Sequence, residues 1–401
     1  MQIKQFGSLR SGLVGAAALA ALIAGAGFVS GPHGDAPAFA EPLRLEAPLV
    51  MPSFADVVER VKPAVVSVRV TADAMRVSDE APSPRGRATP DLEPGHPLYE
   101  FFRRFEEFGM PGPRGGPQEP RSPRRGASQG SGFFVSGDGY VVTNSHVVGR
   151  ASESEVEIVM DDGRTLPARI VGLDPRTDLA VLKVEAQEAF PYVALADGRS
   201  RIGDWVVAIG NPFGLGGTVT AGIVSAEARD IGAGPYDEFL QIDAPINRGN
   251  SGGPTFNLTG EVVGVNTAIY SPSGGNVGIA FAIPAHVVEG VVSQLIEKGE
   301  VTRGFLGVQI QPVTTEIAEA IGLDEARGAL VAQPQEGGPA ALAGLRSGDV
   351  ILSVDGTTIE DHRALSRLIA GYAPGSTASV EIMRRSERQV VAVEIGRLTD
   401  T

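Results

Sequence analysis

Short runs in which hydrophobic and polar residues alternate recur along the chain from residue 65 onward. In the first run Val66, Val68 and Val70 share one face, while Ser67 and Arg69 share the other. This period of two predicts a half-buried β-strand over residues 65–70. Comparable runs bounded by turn residues predict further strands at 131–136, 140–143, 156–160, 166–171, 179–184, 206–210, 218–226, 238–242, 261–267 and 279–283. Many short strands without helices between them predict a mainly β fold built as barrels or a sandwich.

Helical patterns flank this region and reappear after it. Residues 54–61 predict a short amphipathic helix, which ends at Lys62 because Pro63 disfavours helical geometry in the residue before it. Residues 284–298 predict a longer helix, with proline near its start and Gly299 just past its end. Residues 299–303 are interpreted as a linker. Beyond them, strands combined with helices predicted at 316–321 and 361–370 favour a compact α+β module.

A segment of different composition, residues 72–129, interrupts the strand pattern. It is rich in Pro, Gly and Arg, and its length predicts a mobile insertion. Within it, residues 98–108 read L-Y-E-F-F-R-R-F-E-E-F, a helical pattern too aromatic to remain in water without a partner. Two interpretations remain open: a helix packed on its own domain, or a contact with another subunit.

Composition narrows the class of protein. A chain of 401 residues predicts two or three domains, at roughly 100–200 residues for each. The 34 Lys and Arg against 48 Asp and Glu give a net charge of -14, which argues against a nucleic-acid partner bound through its phosphates. The absence of cysteine from the sequence excludes disulfides, thiolate zinc sites and a cysteine nucleophile.

The N-terminus has the order typical of a secretory signal. Lys4 and Arg10 precede an apolar run at 12–29, and the small-residue site Ala38-Phe39-Ala40 follows. We expect a signal peptide over residues 1–40, cleaved before Glu41. The alternative is an uncleaved anchor, since the apolar run could just span a bilayer. Membrane attachment is expected only in that case.

Candidate chemistry centres on residues 246–254, which read I-N-R-G-N-S-G-G-P. Glycines on both sides of Ser251 let neighbouring N–H groups point at a reacting atom instead of a strand partner. By itself the motif is equally consistent with a tight turn in a Gly-rich loop. A nucleophilic Ser251 therefore needs a base and an acid from elsewhere in the chain. The glycines at 214–217 are interpreted as a turn and not as a phosphate loop, because no βαβ unit surrounds them.

The base can be sought by elimination among five histidines. His33 lies in the export segment, His96 in the insertion, His286 in the helix that closes the first domain, and His362 at the start of a helix in the second module. His146 remains. It follows a predicted strand of the same domain as Ser251, where the scaffold can fix its position.

The acid should lie beside a buried strand of that domain and accept the imidazole N–H. Asp178 immediately precedes the apolar strand predicted at 179–184 and is the first candidate. Asp174 belongs to an Asp-Pro turn, where its side chain is expected to stabilise the turn itself. Asp243 remains as a spare candidate.

These three motifs together resemble the trypsin-like serine proteases of the HtrA (Deg) family: T-N-S-H-V-V around His146, D-P-R-T-D-L-A around Asp178, and the motif around Ser251. The order His, Asp, Ser agrees with that of chymotrypsin-type enzymes. The resemblance implies a protease domain over residues 41–300, a chymotrypsin-like pair of six-stranded β-barrels with the active site in the cleft between them. His146 would activate Ser251, and Asp178 would orient His146. Neither a cofactor nor a metal is implied.

The resemblance also implies roles for residues around the triad. Backbone N–H groups at Gly249, Asn250 and Ser251 would form the oxyanion hole. The pocket for the residue before the cut would be lined by Ile246, Tyr270 and Ile279. A pocket of this kind favours Val, Ala and other modest aliphatic residues, and it offers no acid to attract Lys or Arg.

Residues 303–398 resemble a PDZ domain, with F-L-G-V at the start and G-P-A-A-L-A-G-L-R-S-G-D-V-I-L-S-V-D-G at 338–356. In such domains the first loop binds a C-terminal carboxylate through backbone N–H groups, and the peptide adds a strand beside it. Here that loop would consist of Phe305, Leu306, Gly307 and Val308. The alternative is a module that only packs against the protease domain.

These features predict an exported, ATP-independent serine endopeptidase of the periplasm that cleaves unfolded or damaged proteins and captures C-terminal or extended peptides. The aromatic segment in the insertion resembles a loop of the Do-type branch that reaches across subunits, so a homo-oligomer, a trimer or a multiple of it, is expected. That branch usually has two PDZ modules; with one before Thr401, we expect either a truncated form or a single-PDZ type. The competing hypothesis is a chaperone or regulatory peptide-binding protein whose triad is latent.

Overall fold

The computed structural model describes residues 53–71, 127–149, 156–185, 188–211, 217–247, 249–271 and 275–399. The predicted signal peptide, the aromatic segment of the insertion and the glycines at 214 and 216 lie outside these ranges. Within them, no helix combines the length and the apolar character needed to cross a membrane.

Two closed antiparallel barrels of six strands form the first part of the chain, as predicted. The first barrel consists of β1 (Val65–Thr71), β2 (Ala127–Phe134), β3 (Tyr140–Thr143), β4 (Val156–Val159), β5 (Thr165–Asp174) and β6 (Leu179–Val184), in the order β1-β2-β3-β6-β5-β4. The second consists of β7 (Trp205–Gly210), β8 (Thr218–Arg229), β9 (Phe239–Ile242), β10 (Pro254–Phe256), β11 (Val262–Ile269) and β12 (Ala280–Pro284), in the order β10-β11-β12-β9-β8-β7.

The boundaries differ from the predicted ones in three informative places. β2 begins at Ala127, so residues 127–129, which the prediction assigned to the insertion, belong to the barrel. β10 was missed because it has only three residues and begins with proline. β8 continues to Arg229 through two irregularities in its register with β9.

The expectation that β1 is half-buried is wrong. Val66, Val68 and Val70 lie inside the first barrel, but Ser67 on the other face is also fully buried. Val65 on that face packs in the cluster that includes Ile209 and Phe256 of the second barrel. The strand is therefore covered on both sides where the barrels meet, and alternation of residue types could not show this.

Short helices frame the barrels. Helix α1 (Ala55–Val61) leads into a 3-10 turn at Lys62–Ala64, so proline ends the α-helix as expected. One turn of helix, α2 (Ser145–Val148), follows β3 and carries His146. Helix α3 (Ala285–Lys298) closes the domain, with Pro284 before it and Gly299 in the left-handed conformation after it.

The second module is a small α+β domain. Its main sheet has β14 (Val308–Pro312), β15 (Ala329–Pro334), β16 (Val350–Val354), β18 (Thr377–Arg384) and β19 (Glu387–Glu394) in that order, with β17 (Thr357–Thr358) on β16. β13 (Gly304–Phe305) pairs with β20 (Gly396–Arg397). The helices are α4 (Thr315–Ile321), α5 (Pro339–Leu342) and α6 (His362–Ala370). α5 escaped prediction because one turn of small residues has no periodicity.

A buried ion pair fastens this module to the first barrel. Nη1 and Nη2 of Arg303 donate to the two carboxylate oxygens of Asp174, at 2.9 and 2.5 Å. The guanidinium also lies 5.0 Å from the ring centroid of Tyr236. Asp174 does accept a hydrogen bond from Thr177 in its turn, but its larger role is to hold the linker. The expectation for Asp174 was therefore incomplete, because the cation lies 129 residues away.

Candidate active site

Asp178 and His146 meet between the ends of neighbouring strands. β3 and β6 are paired, so the residues that follow β3 and precede β6 lie at the same edge of the first barrel. His146 Nδ1 lies 2.7 Å from Oδ2 of Asp178, and both residues are buried. A carboxylate can only accept, so Nδ1 carries the proton and Nε2 is left able to receive one. This is the tautomer that a general base requires.

The carboxylate of Asp178 is held by four donors. Oδ1 accepts from the backbone N–H of His146 and from Ser145 Oγ, both at 3.0 Å. Oδ2 accepts from Thr267 Oγ1 at 2.5 Å as well as from the imidazole. Asn144 Nδ2 donates to the backbone carbonyl of Asp178 at 2.9 Å. These contacts leave the carboxylate no freedom to rotate away from the imidazole.

Asp178 adopts an unusual backbone conformation in this position. Its φ angle is 57°, in the left-handed region that non-glycine residues rarely occupy. Aspartate tolerates this region better than most residues, because its short polar side chain can bond locally. The spare candidate Asp243 is engaged elsewhere, since its Oδ1 accepts from the backbone N–H of Ile223 at 2.6 Å. Asp178 is therefore the acid that contacts His146.

Ser251 lies in a loop between β9 and β10 that needs glycine on both sides. Gly249 and Gly252 have φ angles of 92° and 83°. A Cβ on Gly252 would lie 2.3 Å from the carbonyl oxygen of Ser131, and one on Gly253 would lie 2.5 Å from that of Ile209. The loop is therefore pressed against both barrels. Ser251 itself is buried, and its Oγ lies 3.4 Å from the carbonyl oxygen of Thr267.

The backbone N–H groups of this loop divide into two sets. Asn250 donates to Asn247 at 3.1 Å, and Gly252 and Gly253 donate to the carbonyls of Asn266 and Asn250. The N–H groups of Gly249 and Ser251 have no acceptor among the described residues. Buried N–H groups are nearly always paired, so these two exceptions, on either side of Asn250, form a ready site for an anionic oxygen.

This division departs from the prediction at one residue. Asn250 was included with Gly249 and Ser251 among the sources of the oxyanion hole. Its N–H is instead used within the loop to close the turn with Asn247. Sequence proximity alone could not separate Asn250 from its neighbours. Arg248, which precedes them, lies outside the described residues.

The three predicted pocket residues belong to the second barrel. Ile246 is buried and packs in the barrel core, with Ile279 against the same cluster. Tyr270 is 38% exposed, and its N–H donates to the carbonyl of Ile279 at 3.1 Å. Tyr270 and Ile279 thus lie side by side, where β11 ends and β12 begins.

The predicted carboxylate-binding loop of the second module is anchored through the carbonyls of its two central residues. The carbonyls of Leu306 and Gly307 accept from the N–H groups of Ala340 and Gln335, at 2.9 and 2.8 Å. Gly307 has a φ angle of 72°, which favours glycine there. Phe305 ends β13, and Val308 begins β14, the end strand of its sheet. An added peptide strand would pair with the outer edge of β14.

The remaining described histidines lie away from the triad. His286 is on α3, with Nε2 3.6 Å from Oε1 of Glu238. His362 begins α6 of the second module. No group of three or more His, Asp or Glu side chains within the described ranges could hold a metal ion. Sequence reasoning missed Thr267, Ser145 and Asn144, of which the latter two directly precede the candidate base.

Comparisons with known proteins agree with this geometry. Residues 130–265 match the model of the trypsin-like peptidase domain, and residues 304–395 match that of the PDZ domain. A probable periplasmic serine endoprotease DegP-like of Rhizobium meliloti is 56% identical over 378 residues, covering 90% of this chain and 73% of the relative. The DegP-like protein of Brucella suis is 53% identical, covering 96% and 76%.

Solved structures show the same architecture. The HtrA-type protease AlgW, solved with a tripeptide, is 36% identical with a TM-score of 0.68, covering 87% of this chain and 99% of that one. A serine endoprotease from Yersinia pestis is 32% identical with a TM-score of 0.59, covering 88% and 100%. The identity of the relatives over most of both chains, together with the two matched domains, shows that this chain belongs to the HtrA family of trypsin-like serine endoproteases, among its DegP-like members.

Proposed function

We propose that Ser251 is the nucleophile of this serine endopeptidase, with His146 as general base and Asp178 as the residue that orients it. The observation that carries the proposal is the 2.7 Å contact between His146 Nδ1 and Asp178 Oδ2. Thr267 links Ser251 to this pair, because its carbonyl oxygen lies 3.4 Å from Ser251 Oγ and its hydroxyl donates to Asp178 Oδ2. A serine hydroxyl is a weak nucleophile until a base accepts its proton. His146 Nε2, opposite the nitrogen that bonds Asp178, is the atom that would accept that proton.

The reaction proceeds in two halves. Ser251 Oγ attacks the scissile carbonyl carbon while His146 takes the hydroxyl proton, and the C–O bond forms as the carbonyl oxygen becomes an anion. His146 then gives that proton to the leaving amine, the C–N bond breaks, and an acyl-enzyme remains. Water attacks the ester with His146 again as base. Release of the acid restores Ser251, so no cofactor or nucleotide is consumed.

The free N–H groups of Gly249 and Ser251 support their assignment as the oxyanion hole. They are preorganised donors, and they cost no rearrangement when negative charge develops on the carbonyl oxygen. We assign Ile246, Tyr270 and Ile279 to the pocket for the residue before the cut. A cleavage map on an unfolded protein should show Val, Ala and similar residues at that position, and a map dominated by Lys or Arg would contradict the assignment.

The substrates we propose are unfolded or damaged proteins of the periplasm. Several relatives are named periplasmic endoproteases, and the related AlgW was solved with peptides bound. The loop from Phe305 to Val308 and the outer edge of β14 would capture a C-terminal or extended peptide. Export through a cleaved signal and assembly into a trimer or a multiple of it complete the proposal. N-terminal sequencing and mass measurement in solution test these two points.

One experiment tests the central assignment. Wild type, Ser251→Ala and a control, Ser225→Ala on β8, are incubated with a fluorophosphonate probe and separately with unfolded casein. We expect probe labelling and fragmentation for wild type and control, and a loss of roughly 10⁴-fold or more for Ser251→Ala. Near-normal turnover by that variant would remove Ser251 from the mechanism. Capture of casein by wild type without labelling or fragmentation would support a chaperone with a latent triad.

A further inference from the structure

Ser131 lies at the point where the first barrel touches the loop that carries Ser251. It is on β2 and fully buried. Its Oγ donates to the carbonyl oxygen of Gly249 at 2.5 Å and accepts from the N–H of Asn211 at 2.8 Å. Its backbone N–H donates to the carbonyl oxygen of Ser251 at 2.8 Å. One residue of the first barrel thus bonds two carbonyls of the nucleophile loop.

We propose that Ser131 is a positioning residue for hydrolysis, which holds the oxyanion-hole N–H of Gly249 in its working orientation and fixes Ser251 relative to His146. The proposal rests on the assignment of Gly249 and Ser251 made above. It does not require Ser131 to touch the substrate.

Ser131 acts first on the peptide between Gly249 and Asn250. A peptide unit is a rigid plane, so its carbonyl and its N–H turn together. Ser131 Oγ holds the carbonyl end, and Asn247 accepts from the N–H end. Rotation of this plane would break both bonds. The plane therefore stays fixed only while both partners are present.

Gly249 itself has no side chain that could fix its conformation. Its φ angle of 92° is one that only glycine adopts readily. Without a side chain, Gly249 can also rotate easily toward other conformations. Its orientation must be imposed from outside. The hydroxyl of Ser131 is the side-chain donor on its carbonyl, and removing it frees the φ and ψ angles next to the hole.

Ser131 also connects the two barrels. His146 and Asp178 belong to the first barrel, whereas Ser251 belongs to the second. The bond from Ser131 N–H to Ser251 joins them directly, and the carbonyl of Ser131 accepts from Thr143 Oγ1 at 2.7 Å. Thr143 ends β3, three residues before His146. Ser131 therefore links the strand that leads to the base with the loop that carries the nucleophile.

The chain offers a matched control in Ser67. It lies directly opposite Ser131 across the β1–β2 ladder and is equally buried. Its Oγ accepts from Gln129 Nε2 at 3.1 Å. Ser67→Ala and Ser131→Ala thus remove the same atom at the same depth from paired positions, and Ser131 alone of the two bonds the nucleophile loop.

The test uses the full chain and separates rate from folded fraction. Each variant is first titrated with a fluorophosphonate probe to count reactive sites, and kcat and KM for a peptide ester or amide are then expressed per titrated site. Loss of one oxyanion-hole donor costs about 10²–10³-fold in kcat, so loss of its support should cost about 10-fold or more. We expect Ser131→Ala to keep its full titre and KM while kcat falls, and Ser67→Ala to match wild type.

Inhibition by a peptide aldehyde adds a second readout, because its hemiacetal places an oxygen in the hole. We expect affinity for the aldehyde to fall with kcat in Ser131→Ala, while affinity for the product peptide stays unchanged. Should that variant fail to fold, Ser131→Cys fills the same space with a weaker donor and should show the same loss. An unchanged kcat per titrated site in the folded variant, or an equal loss in Ser67→Ala, would overturn the proposal. Failure of the triad assignment would appear separately, as turnover by Ser251→Ala.

Discussion

Thr267 Oγ1, on β11 of the second barrel, donates a 2.5 Å hydrogen bond to Oδ2 of Asp178 in the first barrel. The same carboxylate oxygen receives His146 Nδ1. Asp178 therefore orients the imidazole only while strands of both barrels hold it. Movement of one barrel against the other would disturb the base and not only the nucleophile.

Thr267→Val should lower kcat by about 10-fold, because a hydrogen bond to a charged group is worth about 1.5–3 kcal/mol and each 1.4 kcal/mol is tenfold in rate. Three other donors would still hold Asp178, so the loss should not approach that of a missing triad residue. Thr255→Val is the control, since Thr255 is also buried and bonds Asn266 Oδ1 at 2.6 Å without touching Asp178. Equal losses in both variants would assign the effect to packing.

Asp178→Asn should lower kcat by about 10⁴-fold while the fold is kept, because an amide nitrogen facing Nδ1 favours the wrong tautomer of His146. Asp243→Asn should leave kcat within about twofold, since an asparagine oxygen can still accept from Ile223. Peptide hydrolysis and circular dichroism of the two variants decide the matter. A large loss in Asp243→Asn alone would show that the acid was wrongly chosen.

Local patterns allowed most of the strands and the three triad candidates to be predicted, because strands of period two leave His146 and Asp178 at their ends. The pair of barrels was implied by the resemblance to the HtrA family. Partners distant in sequence could not be predicted in the same way. Thr267 bonds Asp178 across 89 residues, and Ser131 bonds Gly249 across 118. Each looks like an ordinary strand residue until the barrels close. Burial of Ser67 was missed for the same reason, since it depends on how the barrels pack.

Arg303→Met should lower the free energy of unfolding by about 3–5 kcal/mol, because it leaves the buried carboxylate of Asp174 without its cation. A second change, Asp174→Asn, removes that charge and should restore part of the loss. Urea unfolding followed by the fluorescence of Trp205, the one tryptophan of the chain, measures all four corners of the cycle. Strictly additive effects would show that the pair contributes no coupling.

Glu238 makes the stability of the folded enzyme depend on pH. Its Oε1 lies 3.6 Å from His286 Nε2 and 3.4 Å from Arg199 Nη2, and its Oε2 lies 3.6 Å from Nε of Arg367 on α6. The contact with His286 lowers the pKa of Glu238, and the charges of His286, Arg367 and Arg199 lower it further against the effect of burial. The ionised form is therefore favoured more in the folded chain than in the unfolded one.

A carboxyl whose pKa is lowered on folding adds stability above its unfolded pKa, which is about 4.3 for glutamate. That stability is lost as pH falls from there through the lowered pKa of the folded chain. Glu238→Gln should thus be less stable than wild type at pH 7, and the difference should vanish as both are taken below that window. Glu289→Gln, at an exposed position on α3, is the control and should match wild type throughout. Urea unfolding at a series of pH values measures the difference in stability between wild type and Glu238→Gln. If that difference persists below the lowered pKa of Glu238, the carboxylate charge is not its source.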